Sequence, residues 1–390
     1  PWDLIRKVEP IRPIACVRPH LIRQAAGWFL QNFAGETLFA VKANPTPSVL
    51  KELYDAGLRQ FDVASETEME LIARYCPEGE MHFMHPVKSR HAIRRAYREF
   101  GIRTFVFDCA DEFDKIRQET DYASDLNLVA RLAVSNQGAE LPIDGKFGAT
   151  TTELVKLPKL ARPVARKLGV CFHPGSQCMD PYAWSVHCET LSRIIVEANV
   201  SVDIVDVGGG FPVNYPGMEP PPMIEFTTAI HEAFSRMPLA RGAELWCEPG
   251  RALVAESTSI LVHVDLVKGN TLFINDGAFG SLYDAVHCEW AYPTRLIRRD
   301  GEEHSDRLKA YRLFGPTCDS ADLVPGPFFL PEDIREGDTI EIGTLGAYGV
   351  CMQTRFNGYG NADEAFCADA PFKSVFSRAA GVVAAELSAR

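Results

Sequence analysis

Lys42 is the first residue in the chain whose type and setting invite chemistry. It closes the run Thr37 to Val41, and Ala43, Asn44 and Pro45 follow it. A short apolar run stopped by a turn reads as a buried strand, so the strand is expected over Leu38–Lys42 with the ammonium at its C-terminal end, pointing into a site. A buried ammonium is costly unless it is paired or used chemically. The run alone supports equally a salt-bridged lysine at a strand edge and a lysine that forms a Schiff base with a carbonyl compound. Other reactive types recur in similar places. Asp62 ends an apolar run, with Glu68 just beyond. Arg131 lies within another. His173 and Ser176 follow a third, Gly208, Gly209 and Gly210 follow a fourth, and Glu248, Gly250 and Arg251 end a fifth.

Three consecutive glycines let backbone N–H groups approach a ligand with no side chain in the way, and such nests bind phosphate, although the same triplet also serves as a plain turn. Arg251 after the next strand adds a cation. With Lys42, these groups suit a phosphorylated aldehyde held both ionically and covalently, and pyridoxal phosphate fits that description. Its pyridine nitrogen needs a carboxylate if the ring is to stabilise a carbanion; Glu248 is placed for that, or else caps a turn. His173 stacks on the ring in this reading, and is a satisfied core histidine in the other.

Eight apolar runs are expected as strands: Leu38–Lys42, Gln60–Ala64, Met81–Met84, Arg103–Phe107, Leu128–Val134, Gly169–His173, Val202–Val207 and Glu244–Glu248. Amphipathic stretches separate them: Pro47–Gly57, Glu66–Tyr75, Ser89–Phe100, Asp111–Gln118, Thr151–Lys167 with prolines that break it, Asp180–Asn199 and Pro222–Met237, with His20–Phe33 ahead of the first strand. Eight strands alternating with helices predict a (β/α)8 barrel over residues 20–250. A doubly wound sheet is the competing topology; it is disfavoured because no dinucleotide fingerprint follows the first strand. After Arg251 the texture turns β-rich, in Leu253–Val267, Thr271–Ile274, Tyr311–Phe314 and Thr339–Ile342, separated by Gly, Pro and Asp. Residues 1–19 and 251–390 are expected to form a mostly β domain that contributes to a dimer and to the active site. The fold class is α/β plus β.

The 390 residues carry a formal net charge of -12, which argues against nucleic acid as a partner. No run is long enough to span a bilayer, so no membrane partner is expected. The eleven cysteines are scattered and form no C-x-x-C pair, which suits a reducing cytoplasm and no metal site, so the chain is expected to be cytoplasmic. The opening Pro1-Trp2 in place of Met reads as a truncated or mid-chain start.

Seven spaced motifs, around Lys42, Asp62, His173 to Ser176, Asp206 to Pro212, Glu248 to Arg251, Gly315 to Asp319 and Gly346 to Tyr348, resemble the fold-type III pyridoxal-phosphate-dependent decarboxylases, the ornithine and bacterial lysine/ornithine group in particular. The resemblance covers nearly the whole chain. It implies that Lys42 holds pyridoxal 5′-phosphate as an internal aldimine, Glu248 pairs with the pyridinium nitrogen and His173 stacks on the ring. Ser176, Gly208 to Gly210, Gly250, Arg251 and Tyr348 would hold the phosphate, with Asp62, Glu68 and Arg131 as a supporting polar layer. It further implies a head-to-tail homodimer with shared sites, into which Cys318 and Asp319 reach from the partner chain, and a cross-dimer ion pair between Lys146 and Asp322. Cys318 is assigned as the acid that protonates Cα of a quinonoid carbanion. Asp319 and Asp284, beside Tyr283, would meet a distal ammonium, and Phe356 would wall the aliphatic part of the substrate.

The implied activity is decarboxylation of a basic L-amino acid, ornithine to putrescine first and lysine to cadaverine next, hence polyamine biosynthesis. Carboxynorspermidine or diaminopimelate decarboxylation is the alternative within the fold; Asp319 rather than Glu after Cys318 disfavours the diaminopimelate enzymes. Alanine racemisation is disfavoured because no tyrosine replaces Cys318. A non-catalytic homologue would have lost Lys42, Glu248, Arg251 or Cys318, all of which are present. Two departures stand out: Ala43 where animal enzymes have cysteine, and Phe279 where tyrosine is common.

Overall fold

The computed structural model describes residues 1–376 apart from Glu9 and Asp144. Eight parallel strands close into a barrel: β1 (Glu36–Ala40), β2 (Gln60–Val63), β3 (Glu80–Phe83), β4 (Thr104–Phe107), β5 (Asn127–Arg131), β6 (Lys167–Cys171), β7 (Ile204–Asp206) and β8 (Glu244–Cys247). Pairing runs in chain order, and β8 closes on β1 through Trp246 opposite Glu36 and Cys247 opposite Thr37. The strands are short and nearly all buried, with Leu38, Phe39, Phe61, Phe83, Phe105 and Val170 fully enclosed. Apolar runs of four or five residues form them because both faces of a barrel strand are covered.

Local signals set the helix boundaries. Ser65 accepts the Glu68 N–H to start Glu66–Tyr75, and Ser89 accepts the Ala92 N–H to start Arg90–Arg98. The long stretch predicted from Thr151 is two short helices, Thr151–Leu154 behind a Thr150–Glu153 capping box and Leu157–Ala161 with Pro158 in its first turn. Ala183–Ala198 stops on Asn199 in the left-handed conformation.

The chain divides into two compact units. Among the described residues the barrel unit is Ala25–Pro212, Pro220–Gly250 and Phe376; the other is Pro1–Gln24, Val213–Glu219 and Arg251–Val375. The division thus departs from the predicted residue 19/20 boundary, and Val213–Glu219 groups with the β unit. That second unit is built on a sheet whose strands run Thr294–Ile297, Thr339–Ile342, Thr258–Lys268, Thr271–Ile274, Leu308–Phe314, Leu323–Pro331. Ile14–Val17 pairs antiparallel with Thr258–Lys268 and parallel with Asp363–Phe366.

Here the structure corrects two expectations. The strand predicted to begin at Leu253 begins at Thr258, after a helical turn Arg251–Val254 and a 3-10 turn Ala255–Ser257, and a short helix, Tyr283–Cys288, interrupts the β-rich region. Leu323–Pro331 carries Pro325, Pro327 and Pro331, which masks it in the sequence; it is tolerated because it lies at the sheet edge.

Candidate active site

In the barrel unit the polar residues gather at the C-terminal ends of the strands, where chemistry sits in this architecture. The strand expected to reach Lys42 stops at Ala40; Val41–Ala43 is a 3-10 turn, closed by the Asn44 N–H on the Val41 carbonyl at 3.1 Å. Lys42 is therefore not buried as expected. Its side chain is 48% exposed and donates from Nζ to Asp62 Oδ2 at 3.2 Å. Asp62, from β2, is buried. Behind them Glu68 accepts the Ala64 N–H at 2.6 Å. Burial pushes the Glu68 carboxyl up to about 7, against the pull of that N–H.

On the side of the barrel next to β1, Glu248 follows β8 and Asp206 ends β7. Burial holds the Glu248 carboxyl well above the usual range, and the Asp206 charge beside it is the next cause. Asp206 is pushed up to about 6, again by burial first. Two carboxyls enclosed together cannot both ionise cheaply, so the pair retains a proton. Asp206 Oδ1 also accepts the Gly208 N–H at 2.8 Å, while its Oδ2 is buried with no hydrogen-bond donor among the described residues. The Glu248 N–H donates to the Gly208 carbonyl at 2.8 Å. Asp206 thus ties the glycine turn to the carboxyl at the strand ends.

His173 Nδ1 accepts the Gly175 N–H at 3.1 Å. Burial, then the charges of Arg131 and Lys42, hold the ring's pKa well down, so the imidazole is neutral and Nε2 carries the hydrogen. Side chains are excluded from the turn below it: a Cβ on Gly209 would lie 2.5 Å from the Glu248 carbonyl oxygen and 3.0 Å from His173 Nε2, and Gly210, at φ +90°, would meet the Gly175 carbonyl at 2.4 Å. A Cβ on Gly250 would crowd Ala43 and Ala40 at 3.0 and 3.3 Å. Ser176 begins the short strand Ser176–Cys178, paired with Ala139–Leu141, and Arg131 ends β5 with its guanidinium 5.8 Å from the Phe147 ring. Lys146 lies over the same ring at 4.9 Å.

The β unit, taken by itself, holds two groups of predicted site residues. Arg251, 4% exposed, donates to Asp284 Oδ2 at 2.7 Å and to the Tyr215 hydroxyl at 2.8 Å, with the rings of Tyr348 and Trp290 about it at 5.0 and 5.1 Å. Tyr292 donates to Asp284 Oδ2 at 2.7 Å. Burial opposes the Arg251 charge, but Tyr215 and Asp284 outweigh it and keep the guanidinium charged. Its Nε–H has no acceptor among the described residues. Asp284 is buried and is the counter-ion of Arg251 in this chain. Tyr283 next to it is partly exposed and stacks on His287 at 5.7 Å.

The second group surrounds Cys318, which is exposed and within hydrogen-bond reach of Asn357; Asp319, also exposed, accepts the Ala321 N–H at Oδ1. Phe356 packs against Phe279 at 5.1 Å. Asp322, expected in a cross-dimer ion pair with Lys146, is 1% exposed in this chain; it accepts from the Ala278 N–H at 2.7 Å and from the Thr317 N–H and hydroxyl at 3.0 and 2.8 Å. In this chain Asp322 is a staple between two loops. Asp206, Tyr215, Trp290, Tyr292 and Asn357 were not assigned from sequence. Asp206 left a signal, an acid inside an apolar run directly before the glycines; the aromatic shell of Arg251 left none, because it comes from distant segments.

Residues 19–255, more than half of the chain, match the family described as pyridoxal-dependent decarboxylase, pyridoxal binding domain. The chain belongs to the pyridoxal-dependent decarboxylases. This decarboxylase is 29% identical over 330 residues to the lysine/ornithine decarboxylase of Selenomonas ruminantium, covering 82% of this chain and 80% of the relative. It is similar in structure to the lysine/ornithine decarboxylase of Vibrio vulnificus solved with cadaverine (TM-score 0.78, 27% identity, 92% of this chain and 95% of that one). The arginine decarboxylase of Paramecium bursaria Chlorella virus shares the fold, at TM-score 0.82 and 23% identity over 93% of this chain and 98% of that one. The cofactor of the family is pyridoxal phosphate, and the decarboxylase's own residues suit it: an amine, a proton-retaining carboxyl pair, a neutral imidazole and a side-chain-free turn stand at one barrel mouth.

Proposed function

We propose that this decarboxylase removes CO2 from a basic L-amino acid, ornithine giving putrescine and lysine giving cadaverine. The observation that carries the reading is the placement of Lys42 and of the Glu248–Asp206 pair on the strand ends of one barrel, above the turn Gly208 to Gly210. When bound, the cofactor supplies the electron sink for the pair left at Cα as CO2 departs. Lys42 holds the cofactor covalently, with Asp62 and Glu68 orienting the amine. Glu248 would face the pyridine nitrogen, and the proton that it and Asp206 retain between them would be available to that nitrogen. His173, neutral, offers a flat face to the ring. Ser176, the glycine N–H groups, Gly250, the Arg251 Nε–H and Tyr348 receive the phosphate; Arg131 supports the polar layer.

Cys318 gives the proton to Cα, and Asp319 receives the distal ammonium beside Phe356 and Tyr283. With Asp284 committed to Arg251, Asp319 carries more of that recognition than a two-carboxylate pocket would require of it. In this reading the chain acts as a homodimer in which Cys318 and Asp319 serve the partner's barrel, and its product enters polyamine formation in the cytoplasm. The test is CO2 release from L-ornithine, L-lysine, L-arginine and diaminopimelate in parallel. The reading expects ornithine or lysine to lead and Lys42→Ala to abolish release; a holoenzyme that releases CO2 from neither overturns it.

A further inference from the structure

We propose that Asn357 is the positioning residue for Cys318, holding the sulfur as a proton donor aimed from a fixed point. The inference rests on the reading of Cys318 as the acid at Cα. Asn357 Oδ1 stands 3.2 Å from the Cys318 backbone nitrogen and 3.2 Å from its Sγ. The backbone N–H is an obligate donor, so it fixes which end of the amide faces the cysteine. The oxygen's second lone pair then receives the thiol, and an amide oxygen accepts only from S–H, never from a bare sulfur anion. The contact thus holds the sulfur at one place in its loop.

Both ends of the contact are held by their own loops. Asn357 sits at φ +55°, ahead of Gly358 at φ +81°, a left-handed site that asparagine occupies more readily than most residues. Its loop is tied down by the Thr354 N–H and hydroxyl on the Phe279 carbonyl, at 2.9 and 3.1 Å. The cysteine loop is tied down by Asp322 through Thr317. The titratable groups lining the cleft beside the sulfur are Asp319, Asp265 and Tyr359; none of them takes the place of the amide contact.

The step balances without an added oxidant. The bond from Cα to the carboxylate carbon breaks, CO2 leaves and its electron pair stays at Cα. The S–H bond then breaks as a C–H bond forms at Cα, and the sulfur regains its proton from water. Were the proton delivered away from Cα, water would hydrolyse the product to an aldehyde and the amine nitrogen would stay with the cofactor, so the product ratio would report where the proton goes. A sulfur held by Asn357 favours delivery at Cα.

The experiment compares the wild-type holoenzyme with Asn357→Gly, which removes the side chain without straining the left-handed backbone, and Asn357→Asp, which keeps an acceptor there. With L-ornithine, Asn357→Gly is expected to lower kcat about tenfold with KM changed less than about twofold, and to raise the aldehyde share of product about fivefold. Iodoacetamide labelling of Cys318, followed on its peptide by mass spectrometry, is expected to speed up about fivefold in Asn357→Gly and stay within about twofold of wild type in Asn357→Asp. Unchanged labelling and product ratio in Asn357→Gly overturn the inference. The labelling does not depend on turnover, so a wild-type enzyme that releases no CO2 yet shows the labelling shift defeats the decarboxylase reading and leaves the contact standing.

Discussion

Asp206 and Glu248 sit within one enclosed space, and the consequence is a dependence on pH that a single carboxylate lacks. Burial raises Asp206 from 3.8 to about 6. A carboxyl raised on folding favours the native state while protonated and loses that contribution as pH climbs through its folded value. The native protein therefore carries a growing penalty between about pH 4 and pH 6 that persists above. Asp206→Asn removes the charge and keeps an oxygen for the Gly208 N–H. Its melting temperature should exceed wild type by several degrees at pH 7.5, with the gap shrinking as pH falls and closing below about pH 4; a difference independent of pH would contradict the shared-proton reading. Arg251 makes the opposite case. It is enclosed with its counter-ion, so Asp284→Ala strands a buried charge and should cost about 3–5 kcal/mol in urea unfolding. A loss under about 1 kcal/mol would mean that water reaches the guanidinium.

At the level of elements, the glycine turn after β7 does the most with the least. Gly209→Ala would drive a Cβ to 2.5 Å from a backbone oxygen, and neither backbone nor ring can yield without moving Glu248 and His173. Cofactor titration should show affinity at least about tenfold weaker, roughly 1.4 kcal/mol or more; an unchanged affinity would show that the turn does not face the phosphate. The barrel strands and most of the helices were legible because they depend on local pattern: buried runs of four or five, Ser65 and Ser89 as caps, Pro158 as a breaker. The same locality explains where reading stopped. Leu323–Pro331 is a strand only because it lies on a sheet edge, and Tyr215, Trp290 and Tyr292 meet Arg251 from three segments with no shared motif. The positions of Lys42, Asp62, His173, Glu248 and the glycines were legible since each lies at or just beyond the C-terminal end of a barrel strand. The commitments of Asp284 and Asp322 were not, because each partner is set by tertiary contact rather than by neighbours in the chain.

For the whole molecule, the sharing of sites between two copies is the claim with the largest reach. Lys42 belongs to the barrel unit and Cys318 to the β unit, so single-site variants of each should complement if partners exchange them. Equal amounts of Lys42→Ala and Cys318→Ala, each nearly inactive, should recover about a quarter of wild-type activity on mixing and re-association, since half of the dimers then hold one intact site of two. No recovery, with mixed dimers present, would place both residues in the same copy's site.

The most direct measurement is reduction of the holoenzyme with borohydride followed by peptide mass spectrometry. The account predicts the mass of reduced pyridoxal phosphate on the peptide that contains Lys42, and no label in Lys42→Ala. Label on a different lysine, or an unlabelled Lys42 in protein that has taken up the cofactor, would contradict it.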